Sequence, residues 1–275
     1  MSEIKRSVFF ISDRTGITAE TIGSTLLTQF DESEFKQSTL PFVNSSDKAN
    51  SAVEYIDHTA RTSGLRPIVF STTVSDEVRG ILRGSQALFL DLFDLFLPAL
   101  EGELKVKSAH REGRAHGIAD ESTYRSRIDA MNYALKHDDG VSADGYGGAG
   151  VILIAPSRCG KTPACLYMAM QHGVFAANYP LTEEDLERQR LPEVLRPYKD
   201  RLFGLSIDAE RLHNIRSERR RGSQYASLPQ VSYELRQAEA LYKRHNIPFT
   251  NTTNMSIEEI AAVIMQEKNL RRRTF

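Results

Sequence analysis

The sequence predicts an α/β protein, and three observations support this fold class. Short apolar runs of strand length alternate with longer segments whose apolar residues recur every three or four positions. Polar segments containing glycine, serine or aspartate separate the two kinds of element. The chain of 275 residues is long enough to bury a full core. We therefore expect parallel sheets covered by helices.

The first half of the chain predicts an N-terminal α/β domain. Predicted strands cover residues 7–12, 37–43 and 66–71, and predicted helices cover residues 47–63, 76–84, 86–100 and 124–136. Another helix follows the first strand. The turn before it either presents Thr15, Gly16 and Thr18 to an anion or is an ordinary turn with Thr18 as the N-cap. Residues 141–150 are rich in glycine and predict a loop. We place the domain boundary there, giving domains of residues 1–145 and 146–275.

The second half predicts a kinase-like α/β domain with a parallel sheet. Predicted strands cover residues 151–154, 174–179, 201–207 and 247–249. One predicted helix begins at about Lys161, and three more cover residues 183–189, 209–221 and 229–244. Ser256 precedes Glu259 by three residues, a spacing typical of a capping box.

The segment between the strand at 151–154 and the next helix resembles a Walker A loop, G-x-x-x-x-G-K-S/T. Its residues are the predicted nucleotide-binding set: Ala155, Pro156, Ser157, Arg158, Cys159, Gly160, Lys161 and Thr162. In such a loop, backbone N–H groups hold phosphate oxygens at a helix N-terminus. Lys161 would place a positive charge on the outer phosphates, and the Thr162 hydroxyl would ligate Mg²⁺.

Ala155 departs from the Walker A pattern, which has glycine at this position. Alanine costs little there only if its φ is negative, since a positive φ strains an L-residue by about 1 kcal/mol or more. The simpler alternative is a strand-to-helix connection that contains Gly-Lys-Thr by chance. The order of strand, loop and helix favours the nucleotide-binding interpretation.

Acidic side chains at the ends of two elements are candidates for chemistry. Two adjacent carboxylates, Asp138 and Asp139, follow a predicted helix, where they oppose its dipole. This placement favours a metal or proton-transfer role. Asp13 follows the first strand, where it is either a similar functional carboxylate or an ordinary cap. His116 lies in a polar segment and is a further candidate beside the alternative of a solvated linker.

Arginines cluster on the predicted helix at residues 209–221. The cluster comprises Arg211, Arg216, Arg219, Arg220 and Arg221. In small P-loop kinases such a helix is typical of a lid that closes over the transferring phosphoryl group. The alternative is a basic, solvated helix face.

Composition limits the classes of partner. Lysine and arginine total 35 against 36 aspartates and glutamates, so we expect no nucleic-acid partner. The apolar runs are too short for a membrane span, and no signal peptide is visible. The two cysteines, Cys159 and Cys165, form no disulfide framework, which predicts a reducing, cytoplasmic location.

Several motifs together resemble the bifunctional pyruvate phosphate dikinase/phosphoenolpyruvate synthase regulatory proteins. They are Phe10-Ile-Ser-Asp13, Thr15-Gly-Ile-Thr-Ala-Glu20, His137-Asp-Asp-Gly140, Ser157-Arg-Cys-Gly-Lys-Thr-Pro163, Ala176-Ala-Asn-Tyr-Pro-Leu181, Leu202-Phe-Gly-Leu-Ser-Ile-Asp208, Tyr225-Ala-Ser227 and Ile257-Glu-Glu-Ile260. Gly160 and the motif beginning at Ala176 are more similar to the synthase branch. Arg14, Pro156 and Gln224 depart from that family's pattern, as does Ala155.

The resemblance implies two activities on one target. One is an ADP-dependent serine/threonine kinase that phosphorylates a threonine of phosphoenolpyruvate synthase and inactivates it. The other removes that phosphate with inorganic phosphate as co-substrate and releases diphosphate. We expect Lys161 to be catalytic, Asp139 to be the base, with Asp13 as the second choice, and Mg²⁺ to be the metal.

Other functions stay open at this point. The target could be pyruvate phosphate dikinase, and the second half alone fits a small-molecule kinase that uses ATP. A non-catalytic nucleotide sensor that blocks a target is a third alternative. The oligomeric state is also open, with a homodimer as one option.

Overall fold

The computed structural model describes residues 5–30, 34–108, 121–140, 143–220 and 222–270. The chain divides into two compact units, Met1–Ala119 and Asp120–Phe275. This division differs from the predicted boundary near residue 146. The helix Glu121–Lys136 belongs to the second unit, because its Ala130 and Ala134 share a buried core with Met168. His116 and Arg221 lie outside the described residues.

The first unit is a four-stranded parallel sheet with helices. Its strands are β1 (Arg6–Ile11), β2 (Phe35–Leu40), β3 (Ile68–Ser71) and β4 (Leu88–Asp91). Its helices are α1 (Ile17–Leu27), α2 (Ser46–Ser63), α3 (Asp76–Arg83) and α4 (Leu92–Leu104). The strand order is β2-β1-β3-β4, and every pair is parallel.

Alternation along β1 places apolar side chains on both faces of this sheet. Phe9 and Ile11 pack with the buried residues of α2 and α3, whereas Val8 and Phe10 pack with those of α1. Strands that are covered on both faces are nearly continuous in apolar residues, as β1 is. The predicted α/β fold class is therefore confirmed for this unit.

The predicted helix at residues 86–100 is wrong in its first part. Leu88–Asp91 forms β4, which pairs in parallel with β3, and the helix begins only after Asp91. The Asp91 carboxylate caps α4 by accepting hydrogen bonds from the N–H groups of Phe93 and Asp94. Similarly, α1 begins after Gly16, in the left-handed region, rather than after Thr18. Pairing with a distant strand and a glycine backbone decided these two boundaries.

The second unit contains another four-stranded parallel sheet. Its strands are β5 (Val151–Ala155), β6 (Ala176–Pro180), β7 (Leu202–Ser206) and β8 (Phe249–Asn251). Its helices are α5 (Glu121–Lys136), α6 (Lys161–His172), α7 (Glu183–Arg188), α8 (Ala209–Arg219), α9 (Leu228–His245) and α10 (Ile257–Glu267). The order is β6-β5-β7-β8, with parallel pairing throughout.

Buried clusters cover both faces of the second sheet. Leu153 lies in the cluster that contains α6 residues, and Ile154 lies in the cluster that contains α9 residues. The predicted capping box of Ser256 and Glu259 is present at α10. Within the described parts of the chain, no helix is both long and apolar enough to cross a membrane.

Part of the predicted loop at residues 141–150 is a 3-10 helix, Ala143–Gly148. Tyr146 on this helix is fully buried, and its hydroxyl donates a hydrogen bond to the carbonyl oxygen of Asn178 at 3.0 Å. The glycine content suggested an open loop, but the buried aromatic ring holds the segment against β6.

Candidate functional site

The 155–162 loop leaves the end of β5 and enters α6. Ala155 is the last residue of β5 and pairs with Pro180, so its backbone is extended. Positive φ values occur instead at Arg158, with 73°, and at Gly160, with 87°. Gly160 is the N-cap residue of α6. The missing glycine at position 155 therefore costs no backbone strain, which answers the question raised by the sequence.

Lys161 lies in the first turn of α6 and is almost fully buried. Its ammonium group donates hydrogen bonds to the carbonyl oxygens of Ala155 at 3.2 Å and of Pro156 at 3.1 Å. Burial lowers the pKa of Lys161, while nearby Asp139 and Asp138 act in the opposite direction. The ammonium thus contacts the backbone of the first two residues of the loop.

The turn after α5 brings a carboxylate to the same helix. The Thr162 hydroxyl donates a hydrogen bond of 2.7 Å to Oδ1 of Asp138. The side-chain amide of Asn178, on β6, donates to the same oxygen. Asp138 is half-buried, whereas Asp139 is exposed with a φ of 48°. The Asp138 carboxylate therefore contacts the 155–162 loop, and the neighbouring Asp139 is exposed to solvent.

Asp138 contacts the 155–162 loop, although the sequence prediction did not include it among the named site residues. The sequence predicts a metal or proton-transfer role for the pair Asp138 and Asp139, and it assigns a specific role, that of the base, only to Asp139. The signal that could have found Asp138 is the threonine after Lys161, because such a hydroxyl pairs with an acidic residue in phosphate-binding loops. Which of two adjacent carboxylates faces that hydroxyl depends on the turn, and spacing along the chain does not specify it.

Thr162 and Asp138 together offer the oxygen ligands that Mg²⁺ prefers. Mg²⁺ sites in phosphate-transferring proteins use one or two carboxylates together with phosphate oxygens and water. Among the residues that the structure describes, no group of three or more His, Cys, Asp or Glu side chains could hold a metal ion. A site with one carboxylate and one hydroxyl therefore fits a metal that arrives with a phosphate ligand.

Arg216 is buried against the backbone of the 155–162 loop and does not cover the loop as a lid would. It is fully buried, and its guanidinium donates to the Ser157 carbonyl at 3.0 Å. It forms a salt bridge of 2.7 Å with Glu234 on α9. The Tyr225 ring lies 4.2 Å from the guanidinium, and its hydroxyl donates to Oγ of Ser157. The lid interpretation is therefore wrong for Arg216. Arg211, Arg219 and Arg220 are exposed, and for them a lid stays a prediction.

Asp13 lies in the first unit, at the end of β1. Its carboxylate is buried and accepts hydrogen bonds from the Ser12 hydroxyl at 3.3 Å and from the Val74 N–H at 3.4 Å. The second of these contacts joins the ends of β1 and β3. Of the three predicted catalytic residues, Lys161 and Asp139 thus share the second unit, and Asp13 belongs to the other.

Both cysteines are buried, Cys159 within the 155–162 loop and Cys165 on α6. Burial raises the pKa of Cys159 to about 12 and that of Cys165 to about 12. The Cys165 thiol donates to the Ala177 carbonyl oxygen at 3.4 Å. Since a thiolate is the reactive form of cysteine, both side chains act as packing groups here.

Comparison with known proteins bears on the whole chain. A sequence model of the Kinase/pyrophosphorylase family matches residues 8–265. A relative from Alkalilimnicola ehrlichii is 54% identical over 275 residues, which is all of both chains. A relative from Legionella pneumophila strain Corby is 51% identical over 270 residues, which cover 98% of this chain and 100% of the relative. A relative from Alcanivorax borkumensis is 52% identical over 270 residues, which cover 98% of this chain and 99% of the relative.

All three relatives carry the provisional name phosphoenolpyruvate synthase regulatory protein. The matched region includes the ends of β1 and β3 as well as the 155–162 loop, so the likeness is not limited to the Walker A pattern. With the family match spanning both units, the chain belongs to the Kinase/pyrophosphorylase family.

Proposed function

We propose that the protein is a bifunctional regulatory enzyme acting on phosphoenolpyruvate synthase. In one direction it transfers the β-phosphoryl group of ADP to a threonine of that enzyme and inactivates it. In the other it uses inorganic phosphate to remove the group as diphosphate. Family membership and the names of the relatives support this proposal. The observation that carries it is the contact of Thr162 with Asp138 beside Lys161.

The 155–162 loop is the proposed site for the diphosphate of ADP. N–H groups of the loop and of the first turn of α6 would hold phosphate oxygens, aided by the helix dipole. Lys161 would turn from the carbonyl oxygens of Ala155 and Pro156 to a phosphate oxygen. Thr162 and Asp138 would hold Mg²⁺, which when bound offsets the negative charge of the phosphates.

Asp139 is the proposed base, because it is exposed next to the phosphate-binding residues. In the forward reaction it accepts the threonine proton as that oxygen attacks the β-phosphorus, and the bond to AMP breaks. In the second reaction a phosphate oxygen attacks the phosphothreonine phosphorus. The bond to the threonine oxygen breaks, diphosphate forms, and Asp139, protonated at the start of this reaction, donates its proton to the released threonine oxygen. Asp13 stays the second choice for this role.

Transfer of radiolabel tests the proposal directly. With ADP labelled at the β-phosphate, we expect label on a threonine of phosphoenolpyruvate synthase, and none when the label is at the α-phosphate. Lys161→Ala should reduce labelling on the order of 100-fold, since it removes a charge that acts on the transferred group. The control is Lys136→Ala, an exposed lysine at the end of α5.

Three outcomes would contradict the proposal. Label that comes from the γ-phosphate of ATP and appears on a small molecule would indicate a small-molecule kinase. Label on pyruvate phosphate dikinase but not on the synthase would identify the other target. Binding of ADP with no transfer to either protein would indicate a nucleotide sensor.

The second activity is checked by release of labelled diphosphate from the phosphorylated synthase when phosphate is added.

A further inference from the structure

Asn178 is a fully buried polar residue in the middle of β6, in register with Leu153 of β5. A buried amide is costly unless both its donor and its acceptor find partners. The two residues before it on the strand, Ala176 and Ala177, are buried alanines that make no such demand. A side chain of this kind inside a parallel strand therefore needs a specific explanation.

The two ends of the Asn178 side chain hold the two aspartates. Its Nδ2 donates to Oδ1 of Asp138, and its Oδ1 accepts the N–H of Asp139 at 3.0 Å. This pattern also assigns the orientation of the amide, because the N–H of Asp139 can only donate. A single side chain thus contacts both members of the acidic pair.

The backbone of Asn178 binds the same turn. Its N–H donates to the His137 carbonyl oxygen at 3.1 Å, and its carbonyl oxygen accepts the Gly140 N–H at 3.2 Å. The turn is therefore attached to β6 on both sides of the aspartates. Asp139 is held with a positive φ of 48°, a conformation that costs an L-residue energy unless its surroundings impose it.

We infer that Asn178 is a positioning residue that orients Asp138 toward the Mg²⁺ of a bound nucleotide. Oδ1 of Asp138 accepts from both Asn178 and Thr162, so the carboxylate is fixed between β6 and the first turn of α6. Side chains that hydrogen-bond to a metal-binding residue set the orientation of that residue and strengthen binding of the metal. The inference rests on the proposed nucleotide site.

A structural role alone would give a different result from a positioning role. Tyr146→Phe is the matched control, because it removes a hydrogen bond of 3.0 Å to the Asn178 carbonyl and leaves the Asn178 amide in place. Asn178→Ser removes the side-chain contacts with both aspartates. Asn178→Leu does the same at similar volume and serves if the serine variant does not fold.

Calorimetry of ADP binding to the full chain, with Mg²⁺ and with EDTA, tests the inference. For the unaltered protein we expect tighter binding with Mg²⁺. In Asn178→Ser the Mg²⁺-dependent gain should fall by about 10-fold or more, with affinity in EDTA unchanged. Tyr146→Phe should keep the gain. In an Asp138→Ala background, Asn178→Ser should cause no further loss of the gain.

The possible failures are distinguishable. If the unaltered chain binds no ADP in either condition, the proposed function fails. If it binds ADP with a Mg²⁺-dependent gain that Asn178→Ser and Asn178→Leu leave within about 2-fold, the inference about Asn178 is overturned while the nucleotide site stands. A loss of the gain in Tyr146→Phe equal to that in Asn178→Ser would also overturn it, because packing would then explain both.

Discussion

Gly160 has the largest positive φ in the 155–162 loop, and this residue decides how α6 begins. A Cβ added at this position would meet no atom within 4 Å. The demand for glycine is therefore conformational rather than steric. Ala155 and Gly160 occupy the two glycine positions of the Walker A pattern, yet only the second needs a glycine backbone.

Gly160→Ala should destabilise the protein by about 1–2 kcal/mol, because alanine is strained in the left-handed region. ADP binding should weaken as well, since relief of that strain would displace the N–H groups at the start of α6. Urea unfolding and calorimetry of ADP binding measure the two effects.

Ala155→Gly is the control for Gly160→Ala at the other end of the loop. It should lower stability by about 0.5–1 kcal/mol, because glycine is unfavourable in a strand, and should not tighten ADP binding. A clear gain in ADP affinity for Ala155→Gly would contradict the extended backbone that the structure assigns to this residue.

At the scale of elements, α8 supports the 155–162 loop through one buried side chain. Its buried Arg216 links Ser157 in the loop, Tyr225 after α8, and Glu234 on α9. The loop is thereby held from outside by two helices that carry none of its residues. Arg158, next to Ser157, has a positive φ of 73°, a conformation that persists only where the surrounding structure imposes it.

Arg216→Met should destabilise the second unit by about 3–5 kcal/mol, because it leaves the largely buried Glu234 without its cation. The double variant Arg216→Met with Glu234→Leu should recover part of this loss, since no unpaired charge is left buried. Thermal or urea unfolding measures both variants.

The control on the same helix is Arg219→Met, an exposed position that should change stability by no more than about 0.5 kcal/mol. Equal losses for the two single variants would show that the contacts of Arg216 are not the cause. An ADP affinity that survives in folded Arg216→Met would contradict the role of α8 in shaping the loop.

At the scale of the whole molecule, two parallel sheets form separate compact units. All the proposed contacts with ADP and Mg²⁺ come from the second unit: the 155–162 loop, Asp138 and Asp139. The first unit contributes Asp13, a buried carboxylate whose role is still a prediction.

Hydrogen exchange separates the two units. With ADP and Mg²⁺, we expect slower exchange in residues 137–140, in the 155–162 loop and in the first turn of α6, because the ligand stabilises the state it binds. The core of the first sheet, around Phe9 and Ile11, should exchange unchanged. Protection of residues 12–16 equal to that of the 155–162 loop would contradict a nucleotide site built from the second unit alone. It would favour Asp13 as a nucleotide-site residue.

Local patterns predicted most of the secondary structure, because apolar periodicity directly reflects burial. They failed at Leu88–Asp91, where a short apolar run fits a helix or a strand equally well and pairing with β3 decides. They also failed at residues 143–148, where burial of Tyr146 overrides the glycine content. The predicted boundary near residue 146 differs from the observed division because packing of α5 on α6 is a long-range contact.

The sequence by itself determined the α/β class, the position of the phosphate-binding pattern and the family, because these depend on residue order within short segments. Only the tertiary structure decided that Asp138 rather than Asp139 meets Thr162, that Arg216 supports the loop, and that Asn178 holds the acidic turn. Each of these contacts joins residues at least 24 positions apart in the chain. Such pairs are set by the packing of whole elements, which no local pattern specifies.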